Sequence, residues 1–306
     1  MPTNSLLRKI DLTTLQLFLS VYEEGTLTRG ADREAMAVSA ASKRLSDLEE
    51  VAGTPLFVRH ARGMTLTAAG ETLLHHARRV SRNMETLSLE LGEHAAGVRG
   101  YLRVVANLSA IVEFLPEDLK QFLTLHDRIK LQLDERPSVG VIDAVIDNVA
   151  DIGICAEDIY PKGLHVTPYR RDTLVVVTRK DHPLAKLKKI KFAQTLDSDH
   201  VGLHAASSIN ARSHWAAQQA GRPLSLKIHV PSFDAVCRMV QAGMGIGVLP
   251  KIAYQNMGYF LGLEAISLDE EWAQRTLVIA VRDPEALSPV SRLLYDYLRT
   301  LESDTP

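Results

Sequence analysis

The chain has 306 residues, 46% of them hydrophobic and 24% charged, with a formal net charge of −2. That length argues for more than one domain, and the composition is that of a folded protein rather than a disordered tail or a membrane protein. There is no global basic excess of the kind a dedicated nucleic-acid binder often carries, so charge has to be judged locally.

Leu15, Phe18, Leu19 and Tyr22 recur at i, i+3, i+4 and i+7 and predict a first helix, ended by Glu23, Glu24 and Gly25. Thr28 is expected to cap a short second helix running to about Ala35, with Leu27 as the apolar residue before the cap. After a tight connection at Met36 and Ala37, the spacing of Ala41, Leu45 and Leu48 predicts a third helix from Val38 to Val51. Its other face carries Ser39, Ser42, Lys43 and Ser46, with Glu49 and Glu50 at the far end. Small hydroxyl residues and one base let a helix approach a groove closely while offering donors to phosphates and base edges. Leu56 to Arg59 and Met64 to Leu66, joined through His60 to Gly63, predict a two-stranded wing. Arg59 and Arg62 at its tip are placed to reach phosphate or a narrow minor groove.

From Thr67 a longer helix carries Leu73, Ala77, Val80, Met84, Leu87 and Leu91 in alternating steps of four and three, the seam of a coiled coil. Gly97 and Gly100 mark its end. One chain offers no second copy of this seam, so a partner chain is its simplest burial and a homodimer is expected; packing on the chain's own C-terminal domain is the alternative. A dimer would present two third helices to two half-sites of a roughly symmetric DNA site. From Tyr101 short apolar runs alternate with amphipathic stretches in two successive series, which predicts parallel α/β packing in two small lobes. Thr276 to Val281 and Pro289 to Leu301 supply a terminal strand and helix.

Leu17-Phe18, Glu24-Gly25-Thr26-Leu27-Thr28-Arg29, Ser42-Lys43-Arg44-Leu45, Asp47-Leu48-Glu49, Gly53-Thr54-Pro55-Leu56-Phe57 and Leu66-Thr67-Ala68-Ala69-Gly70 stand in an order and spacing that resembles the LysR-type transcriptional regulators. The resemblance is close over about the first 95 residues and architectural beyond. It implies an α/β multidomain chain: a winged helix-turn-helix over 8–66, a dimerising linker helix over 67–97, and over 100–302 a two-lobed effector domain similar to periplasmic solute-binding proteins. Lobe I would hold about 100–170 and 272–302, and lobe II about 171–271, with the terminal strand returning to lobe I. The DNA contacts implied are Thr28, Arg29, Val38, Ser39, Ser42, Lys43, Arg44, Arg59 and Arg62. Ala37 and Val38 replace the serine and glutamine common at the start of the family's third helix, so a bidentate adenine contact is missing there, while Val38 can touch a thymine methyl group. The implied partners are double-stranded DNA, a small-molecule effector and the chain itself as dimer and tetramer, with RNA polymerase as a further partner and no membrane.

In such a fold the effector lies between the lobes near strand ends and helix N-termini, which here selects Leu108, Ser109 and Ala110 and the run Ala205 to Ser208. A carboxylate held between Ser109 and Ser207 or Ser208 fits the free N–H groups of helix starts; simple N-capping by those serines is the competing reading. His204 adds a switchable donor, and Ala156, Glu157, Val230 and Phe233 are further lining residues. No G-x-S-x-G elbow, H-E-x-x-H helix or P-loop is present, and Gly243-Met244-Gly245-Ile246-Gly247 reads as a helix stop and turn. His75, His76, His200 and His204 lack metal-ligand spacing, and Cys155 and Cys237 read as buried small residues. An enzyme, a metal and a cofactor are therefore not expected. With no apolar run of about 18 to 20 residues and no signal-type stretch from Met1 to Asp11, a cytoplasmic location is.

Overall fold

The computed structural model describes residues 10–60, 63–96, 100–157 and 163–301, without some side chains in 82–96, and it divides into an N-terminal and a C-terminal compact unit. Helix α1 (Leu12–Glu24) begins where the Asp11 carboxylate accepts the Thr14 N–H at 2.7 Å, and ends at Gly25 with φ +70°. Its buried residues are Thr14, Leu15, Leu17, Phe18, Ser20 and Val21, so Leu15 and Phe18 of the expected stripe lie in the core, Leu19 packs half-buried against it, and Tyr22 is left outside. Helix α2 (Leu27–Arg33) is capped by Thr26 rather than Thr28, the Thr26 hydroxyl accepting the Arg29 N–H at 3.3 Å. A cap needs an extended backbone outside the helix; Thr26 has one (φ −142°, ψ 147°), whereas Thr28 is already helical.

Helix α3 (Val38–Ala52) turns Ala41, Leu45 and Leu48 into the core that α1 shares. The wing is an antiparallel pair, β1 (Phe57–His60) and β2 (Gly63–Leu66), with Phe57 opposite Leu66. The Glu49 carboxylate accepts the backbone N–H groups of Leu56 and Phe57 at 2.8 and 3.2 Å, tying the end of α3 to the base of the wing. At the other end of the hairpin the Met64 N–H donates to the Gly25 carbonyl at 2.8 Å. The long helix α4 (Ala68–Ala96) packs Leu74 and Ala77 into this same core through its first turns.

The C-terminal unit is built on a ten-stranded sheet. On one side β3 (Tyr101–Ala106), β4 (Lys130–Glu135) and β5 (Ile152–Ala156) run parallel, flanked by α5 (Leu108–Glu113), α6 (Leu115–Leu125), α7 (Ser138–Ile146) and the last helix, α10 (Pro289–Thr300). On the other side β8 (His200–Leu203), β9 (Leu226–Val230) and β10 (Ile246–Pro250) run parallel, with α8 (Ser208–Gln219) and α9 (Phe233–Gln241); β7 (Lys189–Ile190) and β11 (Leu263–Leu268) extend the edge. Two strands, β6 (His165–Arg179) and β12 (Gln274–Val281), are antiparallel to each other and to their neighbours β10 and β5. The expectation of purely parallel packing is thus corrected, because these strands carry the chain between the lobes in opposite directions. Each lobe has its own core, one around Leu102, Phe122, Ile154 and Tyr295, the other around Val176, Phe233, Val236 and Leu249.

Candidate functional site

In the three helices and wing of the N-terminal unit, the reading head, the buried stripe of α3 leaves Val38, Ser39 and Lys43 exposed and Ser42 half-buried on the opposite face. Thr28 and Arg59 are exposed as well, and Arg62 lies outside the described residues. The cations are not equivalent. The Arg29 guanidinium donates to the Glu24 carbonyl and to the Thr26 hydroxyl, which ties it to the end of α1. Arg44 bridges Asp11 at 2.9 Å and Thr14 at 2.9 Å, which ties the start of α1 to the middle of α3. Lys43 and Arg59 meet no carboxylate among the described residues, so their charge is available to an outside anion.

The seam on α4 divides into two parts. Ala77 is fully buried in the reading head's core and Leu73 packs against it, so these two are corrected from partner contacts to internal ones. Val80, Met84 and Leu87 are 39–45% exposed, an apolar row that the described residues leave open. The Leu91 side chain lies outside the described residues.

Between the lobes lies a cavity of about 20 Å³, room for a water-sized group, lined by Asn107, Ser109, Ser138, Ser207, Ser208 and Phe233 among others, with His204 and Glu135 at its edge. Six expected lining residues are off its wall: Ala110 and Ala156 have no exposed surface and belong to the lobe I core, Val230 is buried in the core of lobe II, and Glu157, Ala205 and Ala206 lie outside this cavity. The N-capping alternative for the serines does not hold. Asn107 caps α5, its side-chain oxygen accepting the Ala110 N–H at 3.0 Å, and the Ser207 side chain makes no cap bond on α8. Ser109 is instead 4% exposed and accepts from Arg275 Nη2 at 2.9 Å. Ser138 is 3% exposed and accepts from Asn107 and from the Ala156 N–H, each at 3.4 Å. Every bond recorded at these two hydroxyls uses the oxygen, and their hydrogens meet no acceptor among the described residues.

Behind Ser109 is a buried charged cluster that sequence reasoning did not find. Arg275 and Asp172 face each other in the register of β12 and β6, where both strands pass from one lobe to the other. Arg275 Nε donates to Asp172 Oδ1 at 2.8 Å and Nη2 donates to Oδ2, with both side chains almost wholly buried. Glu113, from the end of α5, is buried beside them with no N–H or O–H donor at either oxygen among the described residues. Burial, and next the Asp172 charge, push its carboxyl up to about 9 against the pull of Arg275. Glu113 therefore holds its proton at pH 7. A signal existed in the sequence, since Asp172 and Arg275 each sit at the end of an apolar strand run where a partnerless charge would be costly. Asn107, at a strand exit before a helix, was likewise readable as a cap.

Comparison with known proteins agrees with this geometry. Residues 12–71 match the model for bacterial regulatory helix-turn-helix proteins of the lysR family, and residues 95–302 match the LysR substrate binding domain. An HTH-type transcriptional regulator of Escherichia coli K12, YbhD, is 27% identical over 298 residues, covering 97% of this chain and 93% of its own. The crystal structure of the LysR family transcriptional regulator CbnR superposes with a TM-score of 0.71 at 18% identity, over 95% of this chain and 99% of that one. The effector binding domain of QuiR, solved in complex with shikimate, has a TM-score of 0.61 at 19% identity and covers 67% of this chain and 98% of that one.

Proposed function

The chain belongs to the LysR family of DNA-binding transcriptional regulators with a substrate-binding domain, and from that premise we propose that its effector is a small organic acid whose carboxylate enters the cavity between the lobes. One observation carries this reading: Ser109 and Ser138, both buried, line the same cavity with hydroxyl hydrogens that have no acceptor among the described residues. A wall of donors leaves buried hydrogens unmatched until an acceptor arrives, and an anionic oxygen is the strongest acceptor available. Ser207 and Ser208 line the opposite side from the start of α8. The fold relative QuiR holds shikimate, itself the anion of an organic acid. An acid larger than the roughly 20 Å³ available widens the space between the lobes, which couples its binding to lobe movement.

On the DNA side, Val38, Ser39, Ser42 and Lys43 enter the major groove, Arg59 reaches phosphate and Thr28 adds a hydroxyl. Arg29 and Arg44 hold the scaffold in shape and reach DNA only with their remaining donors. Val80, Met84 and Leu87 pair two chains, and a tetramer would let effector-driven lobe movement alter the spacing or bend of the bound DNA. The regulator works in the cytoplasm, where RNA polymerase is its downstream partner. Selection of bound genomic fragments gives the operator and points to the acid through the neighbouring genes. Calorimetry with that acid should show a loss of about tenfold or more in Ser109→Ala, and unchanged binding would remove the cavity from the reading.

A further inference from the structure

We propose that Arg275 is the specificity-determining residue of the cleft: reaching in from β12, it fixes Ser109 as a hydrogen-bond donor and so selects an effector that presents an anionic oxygen. The inference rests on the effector reading above and goes one layer behind it, to a residue that is absent from the cavity wall.

A serine hydroxyl has one hydrogen and can act as donor or acceptor; a guanidinium has only donors. Against Arg275 Nη2, 2.9 Å away, Ser109 can only accept, so its hydrogen must point elsewhere. Left alone, a cavity serine would serve a neutral donor group on a ligand as readily as an anion. The bond from Arg275 occupies one of the two lone pairs on the oxygen and turns the hydrogen away from the guanidinium, so the hydroxyl is biased toward donating to an incoming acceptor.

The orientation of Arg275 is itself fixed. Its Nε and Nη2 form a fork on the two oxygens of Asp172, and the two residues stand opposite each other in the β6–β12 register. A planar guanidinium held at two points cannot swing away from Ser109, which a lysine ammonium could do. Glu113 completes the cluster. It is protonated, so the group behind Ser109 carries one positive and one negative charge and sums to zero. An ionised Glu113 would place a net negative charge behind the wall that is to receive an anion, and would oppose it. The cluster spans α5 of lobe I and both strands that join the lobes, so whatever the hydroxyl binds is felt where the lobes hinge.

The test uses the full chain and two matched probe pairs, acetate with acetamide and benzoate with benzamide, titrated by calorimetry and followed by thermal shift. The native protein should prefer each carboxylate over its amide by about tenfold or more. Asp172→Asn combined with Arg275→Gln removes both charges together and leaves neither one stranded. In that variant the preference should shrink to about threefold or less, through loss on the carboxylate arm with the amide arm unchanged. Arg275→Lys, which keeps a cation for Asp172 but loses the planar fork, should move the same way and serves if the double variant does not fold. Ser109→Ala should show the same narrowed preference with Arg275 in place. Equal weakening of acid and amide would make Arg275 a packing residue only, and an unchanged preference would also overturn the proposal. If the native protein binds neither member of either pair, the effector reading of the cavity fails, and this inference with it.

Discussion

His200 opens β8 with its ring buried in lobe II, where Nδ1 donates to the Ser198 carbonyl at 3.0 Å and Nε2 faces the Thr195 hydroxyl at 3.2 Å. Burial outweighs the favourable pull of the Ser198 carbonyl and the Asp199 charge and takes the imidazole down to about 4 from its ordinary 6.5. The sign follows from which state binds the proton first. As pH falls through 6.5 the unfolded chain gains a proton that the folded chain refuses until about 4, so stability drops across that window and levels off below it. The full effect is about 3 kcal/mol. Glu113 works in the opposite direction, because its raised value makes stability fall as pH rises from the ordinary carboxyl range toward about 9. Comparing the native chain with His200→Gln cancels that second slope. Denaturant melts from pH 7 to pH 4 should show the native protein losing stability relative to the variant as acid is added. Parallel curves would show that His200 does not titrate as its burial requires.

Among elements, the contact of α1 with α2 depends on a glycine at a place where helix propensity argues for alanine. A Cβ on Gly30 would stand 2.6 Å from Val21 Cγ2 and 2.7 Å from the Val21 backbone. Alanine gains about 1 kcal/mol of propensity in a helix interior. Forcing two helices apart costs about 1–3 kcal/mol, and the crowding atoms include main chain, so the clash decides the sign. Gly30→Ala should therefore lower the melting temperature of the reading head and weaken DNA binding in proportion; a stabilised variant would mean that the helices separate freely. The same region shows what a sequence can and cannot reveal. The third helix was legible because Ala41, Leu45 and Leu48 repeat at helical spacing and the core answers to that repeat. On α1, Leu15 and Phe18 were legible, but Leu17 and Val21 were missed because Leu19 and Tyr22 match them in hydrophobicity, and only the packing of α3 and α4 chooses between them. Thr26 and Thr28 are chemically alike, so the cap is settled by where the backbone becomes extended. The cavity serines were visible from their place after strands, but Arg275 and Asp172 are separated by 103 residues and meet only through strand register.

At the scale of the whole molecule, the row Val80, Met84 and Leu87 has to be covered by something, since it lies on a helix whose earlier apolar residues are already used inside the reading head. If that cover is a second chain, a carboxylate introduced at the row is stranded in apolar surroundings on association but stays solvated in the single chain. Leu87→Glu should then weaken self-association by roughly 100-fold with little change in the fold of either unit. Sedimentation of the native protein and the variant at micromolar concentration reads this directly. Ala77→Glu is the contrasting change, because it places the charge in the reading head's own core and should unfold that unit before it affects association. DNA binding supplies the second readout. A chain with one reading head contacts about half the phosphates of a pair, so the slope of log affinity against log salt should roughly halve in Leu87→Glu. A variant that sediments with the native protein and keeps its salt slope would place the covering surface somewhere other than a second copy of this helix, and the pairing of two heads on one operator would need a different source.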